Sequence, residues 1–226
     1  MKPLLVLAAF PVVLMGWASC SHSGTGHAAL PDPRAVDKSV PEYKNPFHPS
    51  TYAHFVARKD YRKTYDVYKD DTLLNRQPKK SRKIFVCLDE QRGQYLVDGL
   101  VAMDFPLSSG VKAYPTKTGD YAVISKKEDH TSNLYGKMYD AEGKCINYNA
   151  ESTDPIPEGG RFDGSPMPYW QRLTNAGLGL HVGKVRRHPV SHGCVRLPRN
   201  VAEILYRQTS IGTPVTIQKT PLPAPE

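Results

Sequence analysis

The segment GLGLHVGKVRRHPVSHGCVRLP, residues 177–198, places two imidazoles and a thiol, His181, His192 and Cys194, within one short stretch of chain. A thiol is an effective nucleophile only as thiolate, and a neighbouring imidazole is the usual means of producing it near neutral pH. Gly193 lets the backbone approach closely and leaves main-chain N–H groups to face a developing oxyanion. The stretch points to acyl transfer through a Cys194 thioester. Zinc is the chemical alternative, since His181, His192 and Cys194 are all competent ligands. Against it, the chain has no C-x-x-C pair and no obvious fourth ligand.

The rest of the chain predicts a mainly β fold from Lys83 onward. KIFVCL is a β-rich run, DEQRG a turn and GQYLV a second strand; Asp98–Gly99 then marks a tight hairpin into LVAMDFPL. SSGVKAYPTKTG reads as a loop, DYAVISK as a strand, and GLGLHV and PVTIQ as later strands. One helix, about 199–208, follows Pro198 with Val201, Ile204 and Leu205 on one face. Short strands with frequent turns favour a sandwich or barrel over an alternating α/β fold. Residues 127–168 lack periodicity and read as a long loop walling the substrate.

Upstream, residues 50–76 are rich in Tyr and charge. Ser50 as cap and Tyr61, Tyr65 and Tyr68 at helical spacing predict one short helical extension packed on the main domain. The Gly, Ser, His and Pro of residues 20–50 read as a tether. Residues 1–19 read as a signal peptide: Lys2, an apolar run from Leu4 to Met15, then Ala18 and Ser19 before Cys20. That arrangement resembles a lipoprotein signal in which Cys20 is lipidated, although Trp17 stands where an aliphatic residue is usual. Cleavage after Ala28 would instead release a soluble protein. The division expected is therefore 1–19 leader, 20–80 tether and extension, 83–219 catalytic domain and 220–226 disordered tail.

The net charge is +8. Such a surface suits nucleic acid, anionic lipid or a carboxylate-rich cell wall, and an export signal removes nucleic acid from these partners. Cys87 and Cys145 could pair in an oxidising compartment, or Cys87 could simply be buried packing within IFVCL.

His181 followed by Ser191-His192-Gly193-Cys194-Val195-Arg196 resembles the signature of the L,D-transpeptidase (YkuD-type) catalytic domain. IFVCLDEQRGQYLVDG, PLSSG, PTKTGDYAV, MPYW and NVAEILYRQTSIGTPVTI are similar to other parts of that family, so the likeness covers about residues 83–219. Lys117 departs from it, standing where most members carry Pro. The resemblance implies a β-sandwich or barrel with one C-terminal helix. It implies Cys194 as nucleophile, and His181 as general base and acid, oriented by a carbonyl near Val182. Backbone N–H groups around His192, Gly193 and Cys194 would form the oxyanion hole, and Ser191 would support His192. Arg196 would hold a substrate carboxylate, and Tyr169 would line the pocket mouth. The substrate implied is a peptidoglycan tetrapeptide stem, whose acyl-enzyme gives a 3→3 cross-link in the periplasm without metal or organic cofactor. Water or a D-amino acid as acceptor would make the protein a carboxypeptidase or exchange enzyme, and a lysine acceptor would attach or release a wall-bound lipoprotein. Outside enzymes, the alternative is a non-catalytic wall-binding lipoprotein. His130 is expected as a loop cap slightly ahead of a cleft wall, and His188 as exposed.

Overall fold

The computed structural model describes residues 31–77 and 81–221. The leader, Cys20 and the last five residues of the tail lie outside the described residues. The elements are α1 (Tyr52–Ala57), β1 (Tyr68–Lys69), α2 (Asp71–Asn75), β2 (Arg82–Cys87), β3 (Arg92–Val97), β4 (Leu100–Pro106), β5 (Gly119–Ala122) and β6 (Ser125–Lys127). They continue with β7 (Thr131–Tyr139), β8 (Cys145–Glu151), β9 (Arg161–Pro166), β10 (Trp170–Arg172), β11 (Gly179–Val182), β12 (Val195–Leu197), α3 (Arg199–Gln208) and β13 (Pro214–Gln218).

The expected β-rich fold is present, as three open sheets. The first has six strands in the order β1-β4-β3-β2-β13-β5, the second β12-β11-β10-β6, the third β8-β7-β9. The meander β2-β3-β4 turns where predicted: Asp98 and Gly99 adopt φ of 52° and 82°, as a right-twisted hairpin requires. Ile84, Val86, Tyr95, Val97, Met103 and Phe105 of the first sheet share a core with Leu180, Val195 and Leu197 of the second. Helix α3 forms over the predicted residues and adds Val201, Ala202 and Leu205; fully burying side chains of this size contributes roughly 1.5–3 kcal/mol each. Its C-terminal carbonyls, Tyr206 O among them, accept from Lys126 Nζ at 2.5 Å, and Thr209 O does so at 2.7 Å. DYAVISK is two strands, β5 and β6, which belong to different sheets.

Two other segments depart from expectation. Residues 50–76 are not one helix: α1 begins at the cap Thr51, not Ser50, and the chain is extended again by Arg58. Tyr68 pairs with Asp104 as β1, and Asp70 then caps α2. The tyrosines account for this. Tyr52 and Tyr61 have apolar rings whose hydroxyls need partners when buried, and both donate to Asp104 Oδ2, at 2.7 and 2.9 Å. A continuous helix would carry Tyr61 away from that carboxylate. Ahead of α1, Lys38, Tyr43 and Asn45 donate to the carbonyls of Val56, Ala57 and His54, so residues 31–50 lie against the extension.

The second departure is residues 127–168, which form the third sheet. Periodicity is lost because β7 shifts register against both β8 and β9, and because Leu134, Ile146 and Tyr148 face solvent. Cys87 and Cys145 stand on β2 and β8, in separate sheets, as free thiols.

Candidate active site

Strands β11 and β12 run parallel, pairing Leu180 with Val195 and His181 with Arg196. Side chains alternate across a strand, so Leu180, Val195 and Leu197 enter the core while His181, Cys194 and Arg196 face a cavity of about 740 Å³. Two bridges, Ser108 to Arg196 and Gly110 to Ser191, tie this pair to the PLSSG segment.

His181 is buried, and its Nδ1–H donates to Val182 O at 2.7 Å. Nε2 is thereby left as the unprotonated nitrogen. Burial pushes the imidazole pKa down to about 4, and the charges of Arg196 and His130 act in the same direction against the Val182 carbonyl. Burial pushes the Cys194 thiol up, partly offset by the Gly179 N–H and Arg196. The thiol donates to Gly177 O at 3.3 Å. Burial thus favours the uncharged form of both groups.

The turn into Cys194 is held from two sides. Ser191 Oγ donates to Cys194 O at 2.5 Å and accepts the Gly193 N–H at 3.1 Å. Ser191 thus braces Gly193 and Cys194 rather than His192, and the Gly193 N–H is taken up within the turn. Thr116 Oγ1 donates to Gly193 O at 2.6 Å and accepts the Gly110 N–H at 2.8 Å. Gly193 is required by its backbone, with φ of 109°. Gly110 is required by space, since a Cβ there would lie 2.1 Å from Tyr114 O and 2.8 Å from Gly193 Cα.

Aromatic rings frame the cavity. Tyr135 of β7 stacks on His192 at 4.3 Å, and Tyr114 tilts against the same ring at 4.8 Å. The third sheet thus lines the cavity with Tyr135, Ala150 and Tyr148, which is the walling role expected of residues 127–168. His130 stacks on Trp170 at 5.0 Å, and Trp170 lies 5.8 Å from His181. His130 is therefore a cavity wall and not merely a loop cap.

Tyr169 corrects its expected place. It has a φ of 55° and packs against Tyr206 at 5.6 Å, on the α3 side, so it does not line the cavity; its neighbour Trp170 does. A sequence cannot distinguish the two, because the irregular Tyr169 backbone decides which ring faces inward. Thr116, within the PTKTG segment, and Tyr135, within the aperiodic stretch, are further residues the sequence left unmarked. His188 is exposed, as expected. No group of three or more His, Cys, Asp or Glu side chains placed to hold a metal occurs among the described residues.

Residues 81–217 match the model of the YkuD L,D-transpeptidase catalytic domain. Over 121 residues the chain is 31% identical to probable L,D-transpeptidase 3 of Mycobacterium tuberculosis (strain ATCC 25618 / H37Rv), covering 50% of this chain and 38% of that protein. The chain thus spans well under half the length of that relative. Among solved structures, an L,D-transpeptidase from Mycobacterium smegmatis aligns with a TM-score of 0.47 at 22% identity, covering 61% of this chain and 58% of the other. One from Stackebrandtia nassauensis aligns with a TM-score of 0.46 at 22% identity, covering 74% and 65%.

Proposed function

This chain belongs to the YkuD L,D-transpeptidase catalytic-domain family, and from that premise we propose that it cross-links peptidoglycan through a Cys194 thioester. The observation that carries the reading is the tautomer of His181. With Nδ1–H held by Val182 O, Nε2 is the basic nitrogen, and it shares the cavity with Cys194.

The steps follow from this geometry. A tetrapeptide stem enters the cavity with the carbonyl of its third residue, a diamino acid, against Cys194 Sγ. Nε2 takes the thiol proton as sulfur attacks. Neither group is charged beforehand, so charge separates only as the new bond forms, where a preorganised environment is most effective. The oxyanion is met by backbone N–H groups of the His192–Cys194 turn. With the Gly193 N–H donating to Ser191 Oγ, the N–H groups of His192 and Cys194 take that role, and one such donor is typically worth about 10²–10³ in rate. The bond to D-Ala breaks, and the proton on Nε2 leaves with its amine. An amine of a second stem then attacks the thioester. It forms a 3→3 amide and, through His181, returns a proton to sulfur. Arg196 holds a substrate carboxylate beside the reacting sulfur.

The protein acts on the periplasmic side of the bacterial envelope, anchored to membrane by lipid on Cys20. The leader and Cys20 motif support this location, and a fixed meshwork beside a membrane suits an anchored enzyme.

Mass spectrometry after incubating the full chain with purified disaccharide-tetrapeptide tests the function. A dimer formed with loss of one D-Ala is the expected product. Tripeptide alone would make the protein a carboxypeptidase. Unchanged substrate with unmodified Cys194 would overturn the reading in favour of another acceptor or a binding role.

A further inference from the structure

Among the described residues, the charged side chains lining the cavity are Lys117, Arg172, Lys184 and Arg196, and no Asp or Glu lines it. Composition alone does not require this, because the chain carries 22 acidic residues against 30 Lys and Arg. The cations arrive from separate parts of the fold: the loop before β5, strand β10, the turn after β11, and β12.

Two guanidinium groups elsewhere stand close to carboxylates, while the part-buried Arg187 and Lys126 meet backbone carbonyls. Arg92 meets Asp104 at 2.5 Å, and Arg34 lies 3.9 Å from Glu90. The cavity cations differ. Arg196 is half-buried across Gly183, and the one ionisable group that favours its charge is Cys194. Arg172 has Asn175 O at 3.5 Å and the Trp170 ring at 6.0 Å, and no carboxylate of the described residues pairs with it. For the half-buried Arg196, a guanidinium partly removed from water without a carboxylate is costly, and an anionic ligand would remove that cost.

Two of the cations act on groups of the site: Arg196 on Cys194, and Arg172 on His130, whose protonation it depresses. Lys184 follows Gly183 at the end of β11. Glu151 acts on Tyr135 but lies outside the lining.

We propose that the cavity selects acyl-donor peptides whose side carboxylates are free, and discriminates against the same peptides amidated. Arg196, Lys184 and Arg172 receive these carboxylates, with Lys117 adding long-range attraction. A primary amide keeps the size of a carboxylate and loses its charge, so it leaves each guanidinium unpaired. This inference rests on the transpeptidase reading for its choice of donor, but the charge selectivity can be measured without turnover.

The probes are a disaccharide-tetrapeptide with its side carboxylates free and the same compound with them converted to primary amides. With the full chain at low salt, kcat/KM for the free form should exceed that for the amidated form by about tenfold or more, each tenfold corresponding to about 1.4 kcal/mol. Raising salt from about 0.05 M to about 0.5 M should shrink the ratio, because exposed charges are screened. Arg172→Gln with Lys184→Gln should reduce the preference several-fold, whereas Lys63→Gln with Lys83→Gln, an equal charge change at exposed residues outside the cavity lining, should not. Lys184→Gln alone changes an exposed side chain, and it keeps the test valid should Arg172→Gln fold poorly. Equal or better turnover of the amidated donor would overturn the proposal, as would an unchanged ratio in Lys184→Gln. If neither donor is turned over, the transpeptidase reading fails by itself. Calorimetric binding of the two peptides to Cys194→Ala then decides the selectivity, tighter binding of the free form supporting it and equal binding overturning it.

Discussion

The Arg92 guanidinium and the Asp104 carboxylate meet at 2.5 Å on adjacent strands β3 and β4, with side chains 2% and 0% exposed. The same carboxylate accepts from Tyr52, Tyr61 and Gln94. Arg92 also donates to Thr64 O and Asp66 O, and lies over the Phe55 and Tyr61 rings. The pair therefore clamps the N-terminal extension to the six-stranded sheet. Removing one member of a buried pair leaves an uncompensated charge and typically costs about 3–5 kcal/mol. Asp104→Asn should lower stability by that order in denaturant titration, and Tyr61→Phe by about 1 kcal/mol. A loss under about 0.5 kcal/mol for Asp104→Asn would show that the clamp is dispensable.

The extension also reaches the active-site loop. Thr64 O accepts from Arg187 at 2.5 Å, and Glu90 O from the same guanidinium at 2.9 Å. Arg187 has a φ of 56°, an unfavourable backbone for a long side chain. Arg187→Ala should raise KM or lower kcat several-fold through the 185–192 loop while leaving α3 and the sheets intact. Wild-type kinetics in that variant would show that the loop holds its shape unaided.

Cys194→Ala should abolish turnover with little change in stability, since only weak sulfur hydrogen bonds, such as the 3.3 Å contact to Gly177 O, are removed. His181→Ala should be nearly inactive, and His188→Ala close to normal. Single-turnover acylation followed by mass spectrometry checks all three. Active Cys194→Ala would end the thioester mechanism, and a dead His188→Ala with an active His181→Ala would mean the base is misassigned.

The pH profile follows from the buried imidazole. Its folded pKa of about 4 lies below its ordinary 6.5, so the unfolded chain binds this proton more readily. The contribution to stability is complete above pH 6.5 and is lost as pH falls towards 4. For catalysis, kcat/KM should stay level from neutral pH to about 5 before the acid limb appears. An acid limb centred near 6.5 would show that the working base is a solvated imidazole.

Thr116→Val keeps the shape of the side chain and removes both hydrogen bonds of its hydroxyl, to Gly193 O and from the Gly110 N–H. Leaving a buried polar group unsatisfied costs about 1–3 kcal/mol. The loss should fall on kcat more than on KM, because the turn carrying Cys194 loses its brace. A change confined to KM would place Thr116 in substrate binding instead.

Much of this site could be read along the chain. Cys194, His181, the strand that carries His181 and the Asp98–Gly99 hairpin are local features, set by residue types within a few positions of one another. The third sheet was hidden because its pairing depends on register shifts and its faces are not divided into apolar and polar. Helical spacing predicts one helix for the Tyr-rich extension because it is a local signal, while Asp104, which accepts from the Tyr52 and Tyr61 hydroxyls, lies far along the chain.

The sequence by itself determined the chemistry that this chain brings together and the meander, helix and closing strand that form its frame. The tertiary fold decides that the Gly193 N–H bonds to Ser191 Oγ, that Trp170 and not Tyr169 faces the cavity, and that four cations gather there with no acid among the described residues. These outcomes depend on partners distant in sequence, whose burial sets the energy of each hydrogen bond and charge, and no local pattern encodes that environment.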